Sequence, residues 1–189
     1  EPGAPGVRIR PLPALDQTRG LAQVDLVDAP ATLVSPPGRG RDVLSTALAY
    51  ADVVLASEMV GGAQACLDMS VAYAKVREQF GRPIGSFQAV KHKCAEILVE
   101  IEGARAMTRY AAWCADAVPH ELEQAAAVAK ATAAEAYFRA AGDNLQIHGG
   151  IGVTWEHDAH LYFKRAKASL MLFGDVSAYR RRIADLIGI

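Results

Sequence analysis

The sequence predicts a mainly α protein: an up-and-down four-helix bundle over residues 39–189, preceded by a small β-domain remnant and linker in residues 1–38. Three observations carry that prediction. Apolar residues recur at alternating spacings of three and four through two long windows, a later segment is dominated by alanine, and short connectors bearing Pro or Gly separate them. With 189 residues, 51% of them apolar and 22% charged, the chain has material for one domain with a real core.

Residues 1–38 stand apart from the rest. GVRIRPLP and GLAQVDLVDAP alternate in part and are bounded by Pro and Gly, so each reads as a short strand. Two such strands cannot bury a core by themselves. Either they pack on the helical part of the chain, or they are the edge of a sheet domain whose earlier part lies outside this sequence. SPPGRG then serves as a linker.

From about 41 to 77, Val53, Ala56, Val60, Ala63, Leu67, Ser70 and Ala74 form one stripe of a helix. Such a helix is roughly 55 Å long at about 1.5 Å per residue. Gly61 and Gly62 cost it about 1–2 kcal/mol, which implies close packing or a bend there. The connector FGRPIGS leads into a second helix with Ser86 as N-cap. Its stripe is Phe87, Val90, Cys94, Ile97, Ile101, Ala104 and Thr108, and it ends near Ala117. The third helix runs from about 119 to 148, with Pro119 in its first turn. Its run LEQAAAVAKATAAEA favours helix and lets a neighbour approach closely. DAHLYFKRAKASLML makes a fourth, broken at Phe173 and Gly174, and VSAYRRRIADLIG a terminal one. Small residues and modest charge pairing favour a packed globular bundle over a coiled coil.

Composition excludes several functions. Twenty basic against twenty-one acidic side chains leave a formal net charge of −1, with no broad attraction for nucleic acid or an anionic membrane. No stretch approaches eighteen uninterrupted apolar residues, so no membrane-spanning helix is expected. The start, EPGAPGVRIRPLP, has no signal-peptide core. Cys66, Cys94 and Cys114 lie far apart inside helical patterns, which reads as small buried thiols in a reducing, cytoplasmic compartment.

Two segments hold the candidate functional residues. In NLQIHGGIGVTWEHD, Gly149 and Gly150 come directly after a helix, as a C-terminal stop does. Bare backbone N–H groups near a helix start also bind anions. The segment lacks GK[ST] and comes after no strand, so it is neither a P-loop nor a Rossmann turn. His157 and His160, three apart beside Glu156, lack the third protein ligand a metal needs, so no metal site is expected and both histidines read as solvent-facing or supporting groups. In KVREQFGRPIGSFQAVKH, a bend at Phe80 and Gly81 brings Arg77, Arg82 and Gln88 to one bundle end. An arginine there either satisfies the last helix carbonyls or holds a phosphate through its donor fork.

REQFGRPIGSFQAVKHKCAEI, with QIHGGIGVTWEHDAHLYFKRAK later in the chain, resembles the C-terminal helical domain of the acyl-CoA dehydrogenase family. The resemblance extends from about residue 20 to the end, and residues 1–38 look like the end of that family's middle β-domain. A C-terminal portion of a longer protein is therefore expected. The family binds FAD at a subunit interface, and the resemblance implies a role for each matching position. Arg77 would pair with the pyrophosphate and Phe80 would pack at the adenine end. Gln88 would make a polar nucleotide contact, and Gln146 with Gly149 and Gly150 would complete the binding edge. An arginine fork, amide side chains and a close backbone approach suit a dinucleotide phosphate.

The family removes a proton alpha to a thioester carbonyl with a glutamate while hydride passes from the beta carbon to the flavin. In most members that glutamate lies in a Tyr-Glu-Gly-Thr segment between the last two helices. Here the corresponding residues are Phe173, Gly174, Asp175 and Val176, so glycine stands at the base position and Val176 lacks the usual hydroxyl. A minority place the base on the first long helix, where this chain has Ala51. Asp52 is one residue displaced, about 100° around the helix, and Asp175 reads first as a helix N-cap. The resemblance thus implies a base-lacking subunit of a heteromeric steroid side-chain acyl-CoA dehydrogenase. A different subunit would supply the base in an α2β2 assembly, with an acyl-CoA substrate and an electron-transfer flavoprotein as electron acceptor. A noncatalytic assembly module without cofactor, and a homomeric enzyme using Asp175, are the competing readings.

Overall fold

The computed structural model describes residues 3–189. It begins with an antiparallel ribbon of β1 (Val7–Leu12) and β2 (Leu21–Leu26), paired from Val7 with Leu26 to Leu12 with Leu21. Ile9, Leu12, Val24 and Leu26 are exposed, so the ribbon's strands bury almost nothing. The loop between them does dock. Asp16, buried, and Arg19 meet Arg165 and Glu58 in a network of ion pairs, with Arg19 to Glu58 at 2.6 Å and Arg165 to Glu58 at 3.0 Å.

Five helices follow, the expected four-helix bundle of α1 (Gly40–Val76), α2 (Gln88–Ala117), α3 (Leu122–His148) and α4 (Ala159–Met171), with α5 (Val176–Ile187) docked on α3. Helix α3 lies at the centre and packs against the other four. Its alanines explain the position: Ala126, Ala129, Ala133, Ala134, Ala140 and Ala141 are buried, and so small a side chain lets four neighbours approach one axis. Larger apolar side chains come from α3's own Tyr137 and from its neighbours. Met59 of α1 with Ile97 and Ile101 of α2 are fully buried, each contributing about 1.5–3 kcal/mol. All seven positions of the expected α1 stripe are buried. By length and composition alone α1 is apolar enough to cross a membrane, but its apolar stripe is the bundle core and fully buried Asp52 lies beside it.

Two expectations about helix ends are corrected. Ser86 does not cap α2: residues 84–86 form a 3-10 turn, and extended Phe87 flanks the helix, its carbonyl accepting from the N–H groups of Val90 and Lys91 at 3.1 Å. The chain needs this turn because the connector first reverses in a tight hairpin of β3 (Glu78–Gln79) and β4 (Arg82–Pro83). Its two central residues, Phe80 and Gly81, have φ of 56° and 72°, as a two-residue hairpin turn requires. Pro119 is not in the first turn of α3. Residues 118–121 make a separate turn, the Val118 carbonyl accepting from Glu121, and the helix begins at Leu122. At Gly61 and Gly62 the helix continues without a break, so close packing is the outcome. The three thiols are free; Cys66 and Cys114 are buried, while Cys94 is only half-buried. Burial pushes the Cys66 thiol up to about 12.

Candidate functional site

The helix order places the end of α1, the start of α2 and the end of α3 at one end of the bundle. Contacts fix that arrangement. The Tyr73 ring of α1 stacks on His148 of α3 with centroids 4.4 Å apart, and Lys93 of α2 pairs with Asp143 of α3. The 3-10 turn lies tight on α1, since a β-carbon on Gly85 would sit 2.9 Å from the Ala74 carbonyl oxygen.

Arg77, Phe80, Gln88, Gln146, Gly149 and Gly150 therefore share this end, and Arg77, Phe80, Gly149 and Gly150 are exposed on it. Arg77 ends α1, its N–H donating to Tyr73 and its carbonyl accepting from Ile84 at 2.8 Å. Its side chain is exposed next to the hairpin. Phe80 is 92% exposed, touching Phe87 edge-on at 6.0 Å, while the Arg82 guanidinium lies 4.2 Å above the Phe87 ring. Gly149, with φ of 62°, stops α3 and opens a 3-10 turn over Gly149–Val153. A β-carbon on Gly149 or Gly150 would enter open space, so the backbone can be approached closely there, although the Gly149 N–H itself donates to the Leu145 carbonyl. Val153 and Trp155 add exposed apolar surface, with the Lys164 ammonium 4.5 Å from the Trp155 ring. Cationic, amide and bare backbone donors beside exposed aromatic faces are the groups that hold a nucleotide.

The two base positions look different. Gly174 has φ of 125° and comes after Phe173 at φ 62°. Asp175 is extended, and its Oδ1 accepts from the Ala178 N–H at 2.8 Å, capping α5. Its other side opens on a cleft of about 730 Å³ that Glu100, Thr132, Arg139 and Lys167 also line. Ala51 is half-buried.

Asp52 turns into the bundle, with no exposed surface. It accepts from the Tyr179 hydroxyl at 2.5 Å and lies 3.4 Å from Arg182, which also reaches Glu123 at 3.0 Å. Nearby, buried Lys130 donates to the carbonyls of Ser169 and Leu170 at 3.1 and 3.2 Å, holding the end of α4. Burial raises the Asp52 pKa against the pull of Tyr179, Arg182 and Lys130. Burial also lowers Lys130 to about 8, although Asp52 and Asp175 oppose it. Nothing in the sequence flags this polar cluster, because Asp52 and Tyr179 are 127 residues apart in the chain and meet only when α5 docks.

Of the two readings of the histidines, the structure favours supporting groups over solvent-facing ones. His157 is half-buried and packs on His148 at 4.2 Å; His160 is buried, edge-on to Trp155 at 4.6 Å. Neither faces solvent freely, and their rings engage different partners. Among the described residues no three His, Cys, Asp or Glu side chains converge as a metal site would need.

The family described as "Acyl-CoA dehydrogenase, C-terminal domain" matches residues 38–187. This chain belongs to that family. It is 42% identical over 174 residues to the acyl-CoA dehydrogenase IpdE2 of Mycolicibacterium smegmatis, covering 92% of this chain and 51% of the relative. It superposes on the Tcur3481-Tcur3483 steroid ACAD variant with a TM-score of 0.91 and 33% identity, over 99% of this chain and 50% of the other. On the ChsE4-ChsE5 complex from Mycobacterium tuberculosis the TM-score is 0.87 at 32% identity, over 99% and 50%. The chain thus spans about half the length of these relatives.

Proposed function

We propose that this chain is one subunit of a heteromeric, FAD-dependent acyl-CoA dehydrogenase that introduces an alpha,beta double bond into a CoA thioester, with a steroid side chain as the acyl group. A different acyl-CoA dehydrogenase-like subunit supplies the general base in an α2β2 assembly, and electrons leave through an electron-transfer flavoprotein. The three free thiols suit a reducing, cytoplasmic compartment. One observation carries the reading: an exposed end with nucleotide-type donors coexists with base positions that hold Gly174 and Ala51.

The donor set fits FAD. Arg77 offers a planar fork to a pyrophosphate, Gln88 and Gln146 offer amides, and the backbone at Gly149 and Gly150 has open space above it. Exposed Phe80 offers an aromatic edge to the adenine. When bound, FAD supplies the hydride acceptor. This chain's residues bind and orient the nucleotide and leave proton removal to the other subunit.

The test is flavin stoichiometry and turnover after co-expression of the intact chain with its genomic neighbours. One FAD per unlike pair is expected; one per chain contradicts the pairing, and none contradicts the nucleotide site. Asp175→Asn preserves an acceptor for the Ala178 N–H, so unchanged turnover is expected. Lost turnover with FAD and assembly intact would favour a homomeric enzyme using Asp175.

A further inference from the structure

His148 lies under a turn that otherwise faces solvent, yet only 4% of it is exposed. Its Nδ1 is 2.8 Å from the Asn144 carbonyl oxygen, which can only accept, so Nδ1 carries the proton and the neutral ring keeps its lone pair at Nε2. Two other segments meet on this ring. Tyr73 of α1 stacks on it at 4.4 Å with 27° between planes, and His157 from the connection to α4 packs at 4.2 Å. His157 is itself held by the Ala159 N–H, which donates to its Nδ1 at 3.1 Å. The turn rests directly on His148: a β-carbon at Gly152 would lie 3.0 Å from the His148 β-carbon and 3.2 Å from the Leu145 carbonyl oxygen.

We propose that His148 is the positioning residue of the nucleotide-binding turn: stacked on Tyr73 and His157 with Gly152 lying against it, it fixes where Gln146, Gly149 and Gly150 are presented. The inference rests on the flavin reading. His148 touches no nucleotide itself. It sets the place from which exposed donors reach one, and a displacement of about 1 Å in such donors is enough to lose most of their benefit.

The role also requires the ring to stay neutral. The titratable groups facing it are Tyr73 on α1 and His157 on the connection to α4. Burial holds His148 below the ordinary histidine range, and His157 adds to this against the Asn144 hydrogen bond. A proton on Nε2 would place a cation against a second imidazole in a nearly closed space. Acid therefore loosens the turn while leaving the core of α1–α3 intact.

The experiment compares the wild-type chain, His148→Phe and His148→Ala, each co-purified with the partner subunit. FAD retained per complex and hydrogen exchange of the 146–152 amides, corrected for intrinsic rates, are measured from about pH 8 to about pH 5. At the upper pH, His148→Ala should weaken FAD binding at least about ten-fold and speed exchange in the turn, with the central α3 amides unchanged. His148→Phe, which keeps a stacking ring and cannot take a proton, should stay within about two-fold at the upper pH and hold flavin where the wild type releases it. An alanine variant indistinguishable from wild type, or a phenylalanine variant with the wild-type pH profile, overturns the proposal. A wild-type complex with no FAD at any pH, but with turn exchange that tracks His148 as described, sinks the flavin reading and leaves the positioning role standing.

Discussion

The phenol ring of Tyr137, on α3, fills the place where a β-carbon on Gly62 of α1 would sit. That β-carbon would come within 2.5 Å of the ring carbon Cζ and 2.8 Å of the hydroxyl oxygen. Tyr137 is buried at 2% exposure and has no room to withdraw. The glycine therefore sets how closely α1 and α3 approach. Gly61, one residue earlier, is exposed with nothing near its would-be β-carbon. Gly62→Ala should destabilise the chain by about 1–3 kcal/mol through overpacking, while Gly61→Ala should stabilise it by about 0.5–1 kcal/mol through helix propensity. Urea denaturation of the two variants checks the pair; shifts of the same sign would refute the contact.

Such contrasts mark what a sequence can and cannot disclose. The α1 stripe from Val53 to Ala74 is legible because period and apolarity coincide at every step, and hydrophobic burial is a sum over local choices. The alanine run announces a closely packed helix for the same reason. Ser86 and Pro119 mislead because capping depends on backbone angles, and a 3-10 turn and a free-standing turn take those places. Asp52 and His148 are illegible as buried groups. A polar side chain is buried only where partners satisfy it, and those partners, Tyr179 for one and Tyr73 with His157 for the other, come from distant elements. The candidate site residues are recognisable only through motif resemblance; their gathering at one bundle end is something only the packing displays.

Lys130 gives the cluster around Asp52 a pH signature. Folded, its ammonium titrates near 8 against an ordinary 10.5, so the folded chain binds fewer protons than the unfolded chain between those values. Stability contributed by this residue therefore rises with pH across that window and is flat below it. Lys130→Met removes the titration and leaves Asp52 with Tyr179 and Arg182. From about pH 8 to about pH 10 the wild type should gain on the variant by on the order of 2 kcal/mol. Chemical denaturation at stepped pH reads the difference, in which the other titrating tyrosines and cysteines cancel. A constant difference would mean that Lys130 is solvated in the folded chain.

Arg77 is exposed at the end of α1, where its backbone N–H and carbonyl carry the local hydrogen bonds. Arg77→Ala should therefore leave the unfolding free energy within about 0.5 kcal/mol of wild type. If the proposed flavin site is right, the same change in the co-purified complex should cost about 1.5–3 kcal/mol of FAD affinity, the worth of a charge-assisted fork to pyrophosphate. Arg77→Lys should recover only part of it, since an ammonium matches the charge but not the bidentate geometry. Full recovery by lysine would reduce the role to a point charge, and no effect from alanine would remove Arg77 from the site.

Restoring a carboxylate at residue 174 tests whether the chain lacks only a side chain. Gly174 has φ of 125°, a region that L residues rarely adopt, and a β-carbon there would sit 3.4 Å from the Ala178 β-carbon and 3.6 Å from the Tyr179 ring. Phe173 beside it already has φ of 62°, and Asp175 after it is committed to capping α5. A glutamate would have to reshape this turn before its carboxylate could aim anywhere, at a cost of about 1–3 kcal/mol. Gly174→Glu should accordingly lower the stability of the chain, leave turnover per flavin in the co-purified complex unchanged, and add no second catalytic centre. Melting curves and steady-state turnover with a CoA thioester provide the two readings. A gain in turnover would mean that the turn readjusts freely, and that the difference between this chain and a base-bearing relative is the carboxylate alone.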